Sequence, residues 1–170
     1  EVSISQGYLK VWPEYTQSHV IVNFSSVFVN QSLEDFHDEL SFTLPKDGVV
    51  YLVSETQKGL YNVPFEVAEA EDYQVVKWKP SQPIKPGEEY GVMLEYSFSP
   101  FTQGGMRDIQ LTFVAPAKIQ NLAMEIQEPL RAQNFEIKPP AKDTYQDLEG
   151  FTFHTMNFEN LAAGEKLDFS

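Results

Sequence analysis

The sequence predicts an all-β fold, an antiparallel β-sandwich, and three observations predict it. Apolar residues recur with a period of two along much of the chain. No stretch of a dozen residues places them at three-and-four spacing, the signature of an amphipathic helix. Turn-forming residues punctuate the alternating runs at short, regular intervals. The clearest run is Tyr90-Gly91-Val92-Met93-Leu94-Glu95-Tyr96-Ser97-Phe98, in which Tyr90, Val92, Leu94, Tyr96 and Phe98 share one face. Ile109, Leu111 and Phe113 alternate with Gln110 and Thr112, and Leu122, Met124 and Ile126 share a face. Such runs are half-buried strands of antiparallel sheets, apolar toward the core and polar or small toward water.

In chain order, strands are expected over residues 7–12, 19–30, 39–44, 49–55, 64–69, 73–79, 89–98, 107–115, 121–127, 134–138, 150–158 and 165–169. The three short runs within 39–69 carry the weakest pattern, and residues 36–40 also fit a single helical turn. The separators are Pro45-Lys46-Asp47-Gly48, Lys85-Pro86-Gly87-Glu88, Gln103-Gly104-Gly105 and Lys138-Pro139-Pro140. Glycine and proline there favour turn geometry over continued strand.

The order of parts repeats. Leu44-Pro45, a valine-rich strand, Val76-Lys77-Trp78, Pro86-Gly87-Glu88 and a closing strand make one series. Ala115-Pro116, Leu122 to Ile126, Phe151 to Thr155, Ala163-Gly164-Glu165 and a closing strand make the other. Pro86 and Ala163 lie 77 residues apart, and Pro45 and Pro116 lie 71 apart. Two related β units are expected, residues 1–100 and 101–170. The second is short for an independent domain, so it is expected to pack on the first, and the sequence leaves open whether the two are separate sandwiches or share one core.

The pattern Leu44-Pro45 … Val76-x-Trp78 … Pro86-Gly87-Glu88-x-Tyr90, with Asn23 on an early strand, resembles immunoglobulin-like modules repeated in bacterial cell-surface and secreted proteins. The likeness covers residues 15–100 and weakens over 106–170, where no Trp precedes Gly164 and Ala163 stands in place of proline. It implies an immunoglobulin-like sandwich in a cell-envelope setting, with a membrane anchor beyond Ser170. Such motifs encode a turn and a core, and carry no chemistry of their own.

Twelve basic residues face 25 acidic ones, a formal net charge of −13. A chain so charged repels phosphate backbones and anionic membrane surfaces, so nucleic acid is not an expected partner. Cationic partners, Ca²⁺ among them, stay open. The absence of cysteine excludes disulfides, thiolate metal sites and cysteine nucleophiles. No run of 18 apolar residues and no signal peptide is present. The chain begins at Glu1 without Met and stops inside a strand-like run, which reads as an ectodomain trimmed from a secreted or membrane-anchored extracytoplasmic protein. Sequons at Asn23 and Asn30 are too common by chance to carry weight.

Candidate sites are few. Trp12, Tyr15, Phe101 and Met106 are the candidate binding residues. Trp12, beside Pro13 and near Tyr8 and Tyr15, suits a stacking platform for a sugar. Phe101 and Met106 flank the glycines of the linker between the two units, where a ring either recognises a ligand or plugs the junction. Glu34, Asp35 and Asp38 offer oxygen ligands to Ca²⁺, although the calcium-loop order of residues is missing. The acids Glu66, Glu69, Glu71 and Asp72 read as a charged edge that blocks strand-to-strand aggregation. His19, His37 and His154 are too far apart to announce a zinc site. No Gly-x-Ser-x-Gly elbow and no phosphate loop occurs. The reading is a non-catalytic structural or protein-interaction ectodomain of a bacterial envelope protein, with no cofactor. The alternative is a carbohydrate-binding module, calcium-assisted, whose partner is a cell-surface glycan rather than a protein.

Overall fold

The computed structural model describes residues 1–13, 19–57, 59–100 and 107–170. These contain thirteen strands and no helix. They are β1 (Val2–Pro13), β2 (Val20–Asn30), β3 (Leu40–Pro45), β4 (Val49–Glu55), β5 (Tyr61–Asn62), β6 (Phe65–Glu69) and β7 (Tyr73–Trp78). Then follow β8 (Glu89–Phe98), β9 (Leu111–Val114), β10 (Ile119–Gln127), β11 (Asp143–Gln146), β12 (Thr152–Leu161) and β13 (Lys166–Phe169).

Eight strands form one long sheet in the order β11-β12-β10-β1-β2-β8-β4-β5. The three-stranded sheet β3-β7-β6 and the two-stranded sheet β13-β9 make the facing layer. Aromatic rings stitch the layers together. Phe24 of β2 stacks on Phe42 of β3 at 5.2 Å between centroids and meets Phe113 of β9 edge-on at 5.3 Å. Phe42 also lies 6.0 Å from Tyr96 of β8 and from Phe113. The expected inward face of β8 (Tyr90, Val92, Leu94, Tyr96, Phe98) is buried throughout. So are Leu122, Met124 and Ile126 of β10. The molecule is therefore an all-β sandwich, its core built by period-two alternation.

The two halves of the chain meet inside the long sheet. β1 pairs with β10, with Leu9 beside Met124 and Val11 beside Ile126. This ladder is parallel and the others are antiparallel. A parallel pair needs a long connection, and most of the chain separates these two strands.

Three local expectations change. Residues 134–138 form no strand; Asn134 takes a left-handed conformation (φ 57°) that breaks an extended run. The backbone of Lys138 nevertheless pairs with that of Ser170, at 2.8 and 3.0 Å. The strand beside β12 is β11, nearer the turn at Asp147. Phe36 makes no helical turn: its backbone exchanges hydrogen bonds with Ile84, at 2.9 and 3.1 Å. Glu66 and Glu69 lie on β6, an edge strand, where charge opposes addition of another strand.

The repeated turn is a structural repeat. Glu88 N donates to Lys85 O (2.9 Å) and Glu165 N donates to Ala162 O (3.1 Å). Gly87 and Gly164 occupy the third position with φ of 73° and 78°, as a type II turn requires. Each turn closes with its own glutamate: Lys85 N donates to Glu88 Oε2 (3.0 Å) and Ala162 N to Glu165 Oε2 (2.8 Å). Each is also tied to a strand end, Gly87 N to Asn30 O and Gly164 N to Ala115 O. A Cβ on either glycine would touch nothing within 4 Å. Gly87→Ala and Gly164→Ala are therefore expected to cost only the left-handed backbone penalty, about 1 kcal/mol each. Urea denaturation of the two variants and their double mutant checks this, and the two losses should add.

Candidate functional site

The inward residues of β1 are Leu9 and Val11, so Tyr8, Lys10 and Trp12 point to the opposite, outer face of the long sheet. Strand register lays that face out in rows. Phe153 pairs with Gln127, Trp12 with Ile21, and Ile21 with Ser97. Because Val11 pairs with Ile126, Trp12 and Gln127 are next-door neighbours. The adjoining row runs Thr155, Glu125, Lys10, Asn23, Glu95.

A pocket of about 330 Å³ opens on this face. Trp12, Phe151 and Phe153 supply its rings, and Ile21 adds a further apolar wall. Its polar residues are Gln127, Glu95, Asp147 and Glu149. Asp147 is engaged in its own turn, its Oδ1 accepting from Glu149 N and Phe151 N at 2.9 Å. Glu95 accepts one long bond, 3.4 Å, from Asn23 Nδ2. Gln127 is 5% exposed, and its amide makes no hydrogen bond to any described residue.

Next to the pocket lies a carboxylate held by two phenols. Glu125 Oε2 accepts from Tyr8 OH at 2.9 Å and from Tyr145 OH at 2.6 Å. Tyr145 stacks on Phe153 at 5.1 Å, and Lys10 Nζ lies over the Tyr8 ring at 4.9 Å. This network fixes the rings that border the pocket. The bond to Glu125 pushes the Tyr145 phenol up to about 12, with burial and the Glu125 charge adding. Burial raises Tyr8 further still, helped by the same carboxylate. A folded-state value above the unfolded one, near 10, means the native state holds its proton longer. The resulting stability is complete below about pH 10 and is lost as pH rises through the folded value. In a titration at 295 nm, Tyr145 should ionise near pH 12. Glu125→Gln should bring it down toward the ordinary tyrosine value, and an unchanged curve would contradict the network.

Trp12 is thus placed in the pocket, while Tyr15, Phe101 and Met106 lie outside the described residues. Glu34, Asp35 and Asp38 are exposed. The described residues contain no group of three or more His, Asp or Glu side chains arranged to hold a metal ion. The Glu34 backbone anchors Asn30, whose Nδ2 donates to Glu34 O at 2.8 Å. His154 sits 3.0 Å from Glu128 Oε2 and against the Phe135 ring. The residues that sequence reasoning missed are Gln127, Phe153, Glu125 and Tyr145. Their outward register relative to Trp12 depends on the pairing of β1 with β10, which no local pattern announces.

A second, larger cleft of about 540 Å³ lies at the end of the sandwich, lined by Glu55, Tyr61, Ser81, Lys79 and Tyr90 among others. Its best-defined feature is Glu55, which accepts from Ser81 N and Ser81 Oγ, both at 2.6 Å.

No family model and no curated protein matches this chain. Among solved structures, it is similar to the M1 zinc metallopeptidase from Deinococcus radiodurans, with a TM-score of 0.58 at 10% identity over 99% of this chain and 42% of that one. A point mutant of that peptidase matches with a TM-score of 0.58 at 12% identity, over 92% of this chain and 38% of the other. The chain thus spans about two fifths of the length of these structures, and the likeness is one of fold.

Proposed function

We propose that this chain is a non-catalytic, extracytoplasmic interaction domain of a bacterial envelope protein, which meets a protein partner through the outer face of its long sheet. The observation that carries this reading is the convergence of Trp12, Phe151 and Phe153 on one pocket, flanked by the fixed rings of Tyr8 and Tyr145. Rigid aromatic anchors around a pocket, with polar groups at the rim, are what concentrate binding energy at protein interfaces. The resemblance to immunoglobulin-like surface modules supports the envelope setting. The neighbours of like fold carry it as part of a longer chain, which supports a module within a larger protein.

A photo-crosslinking amino acid at position 153 of the full-length parent protein, in its own cells, tests the reading. A protein adduct there, lost on Trp12→Ala and absent from a probe at exposed Leu60, is expected. No adduct at position 153 would overturn it. A glycan adduct would favour the second reading, a carbohydrate-binding module. That reading rests on the same rings, which suit sugar stacking, together with the Gln127 amide. A stability gain with soluble glycans, with or without Ca²⁺, would support it.

A further inference from the structure

We propose that the Trp12 pocket receives an arginine side chain of the partner protein, an inference that rests on the interaction reading above. Every described ionisable residue lining the pocket is an acid: Glu95, Asp147 and Glu149. Asp147 is occupied in its turn, which leaves Glu95 and Glu149 to face a ligand. The nearby cation of the adjoining row, Lys10, is directed over the Tyr8 ring. Rings and carboxylates in one concavity match a guanidinium, which stacks its plane on an aromatic face and pairs its N–H fork with a carboxylate.

Gln127 points to the same ligand independently. Its side chain is 5% exposed, lines the pocket and has no hydrogen-bond partner among the described residues. Among the described residues, the enclosed side-chain groups without a partner are Ser26 Oγ, Trp78 Nε1 and Tyr90 OH; the Gln127 amide is not one of them, so it meets solvent through the pocket and stands open to an occupant. A guanidinium N–H can donate to the Gln127 carbonyl oxygen, and the backbone carbonyl of the incoming residue can accept from its amide nitrogen. A neutral sugar can donate its hydroxyls to the amide and to the carboxylates but leaves their charge unpaired, and an acidic glycan is repelled by them. The net charge of −13 draws basic segments toward the protein before contact.

The test is a nuclear magnetic resonance titration of this chain with Nα-acetyl-arginine amide, read at the side-chain N–H signals of Trp12 and Gln127. The buried Trp78 indole serves as the internal control, since it lies in the core. Saturable shifts at Trp12 and Gln127, with Trp78 unmoved, are expected. The neutral isostere Nα-acetyl-citrulline amide should bind at least about fivefold more weakly. Glu149→Gln, at an exposed position that leaves the fold intact, should weaken arginine binding by a similar factor. Equal shifts with citrulline, or none with arginine up to its solubility limit, would overturn the proposal. Shifts with a soluble glycan in place of arginine would overturn it in favour of the carbohydrate reading. A protein adduct at position 153 without arginine selectivity would sink this inference and leave the interaction reading standing.

Discussion

Phe42→Ala is expected to remove about 3–5 kcal/mol of folding stability, lowering the melting temperature by roughly 10 °C or more. Phe42 is 2% exposed and stands where the layers meet, against Phe24, Tyr96 and Phe113 at once. Truncation forfeits the transfer energy of the ring and leaves a cavity that the three neighbouring strands cannot collapse to fill. Phe42→Leu, which keeps most of the volume, should cost much less. Chemical denaturation followed by fluorescence measures both. A loss no larger than that of Val67→Ala, on the exposed edge strand, would contradict the central role of this ring. Because Phe113 belongs to the second stretch of chain, unfolding should occur in one cooperative transition, with no separate step for residues 101–170.

The ring cluster also shows what could be read without coordinates. Alternation alone assigned Tyr96 and Phe113 to inward faces, because strand period fixes side-chain direction whatever the partner strand is. The turns at Gly87 and Gly164 were equally legible, since only a residue free of Cβ strain suits that position. Pairing was a different matter. Nothing in the runs at residues 2–13 and 119–127 specifies that they lie side by side and parallel, for register is set by the whole sheet. The candidate site inherits that gap. Trp12 stood out by residue type, but Gln127 and Phe153 became its neighbours only through the β1–β10 and β10–β12 ladders. Glu125 carries no distinguishing pattern in the sequence, yet it is the buried acceptor of two phenols from strands far apart in the chain. The expectation at Glu34, Asp35 and Asp38 rested on charge density alone, and all three side chains are exposed.

Asn30 is the polar counterpart of Phe42, and its replacement carries the second large expected effect. It is fully buried at the end of β2. Its Nδ2 donates to Glu34 O at 2.8 Å and to Ile84 O at 2.7 Å. Its Oδ1 accepts from Ser32 N at 3.0 Å and Ser32 Oγ at 2.7 Å. One side chain therefore holds the loop after β2 and the segment bridging Phe36 to Ile84, while the backbone carbonyl of the same residue accepts from Gly87 N of the first type II turn. Asn30→Leu should cost about 2–4 kcal/mol, since it strands several backbone groups whose desolvation is already complete. Asn30→Asp should be at least as damaging despite its near-identical shape. It keeps the acceptor for Ser32 but turns a donor into a buried carboxylate facing two carbonyl oxygens. That ordering separates a hydrogen-bond role from a packing role: if shape alone mattered, aspartate would be nearly silent and leucine would not. The same burial bears on the sequon at this position. A glycan on Asn30 would replace one of the two amide hydrogens, which bind Glu34 and Ile84, and would have to fit at a fully buried side chain, so the folded domain should emerge unmodified at Asn30 when expressed through a glycosylating secretory pathway, as intact-mass measurement would show.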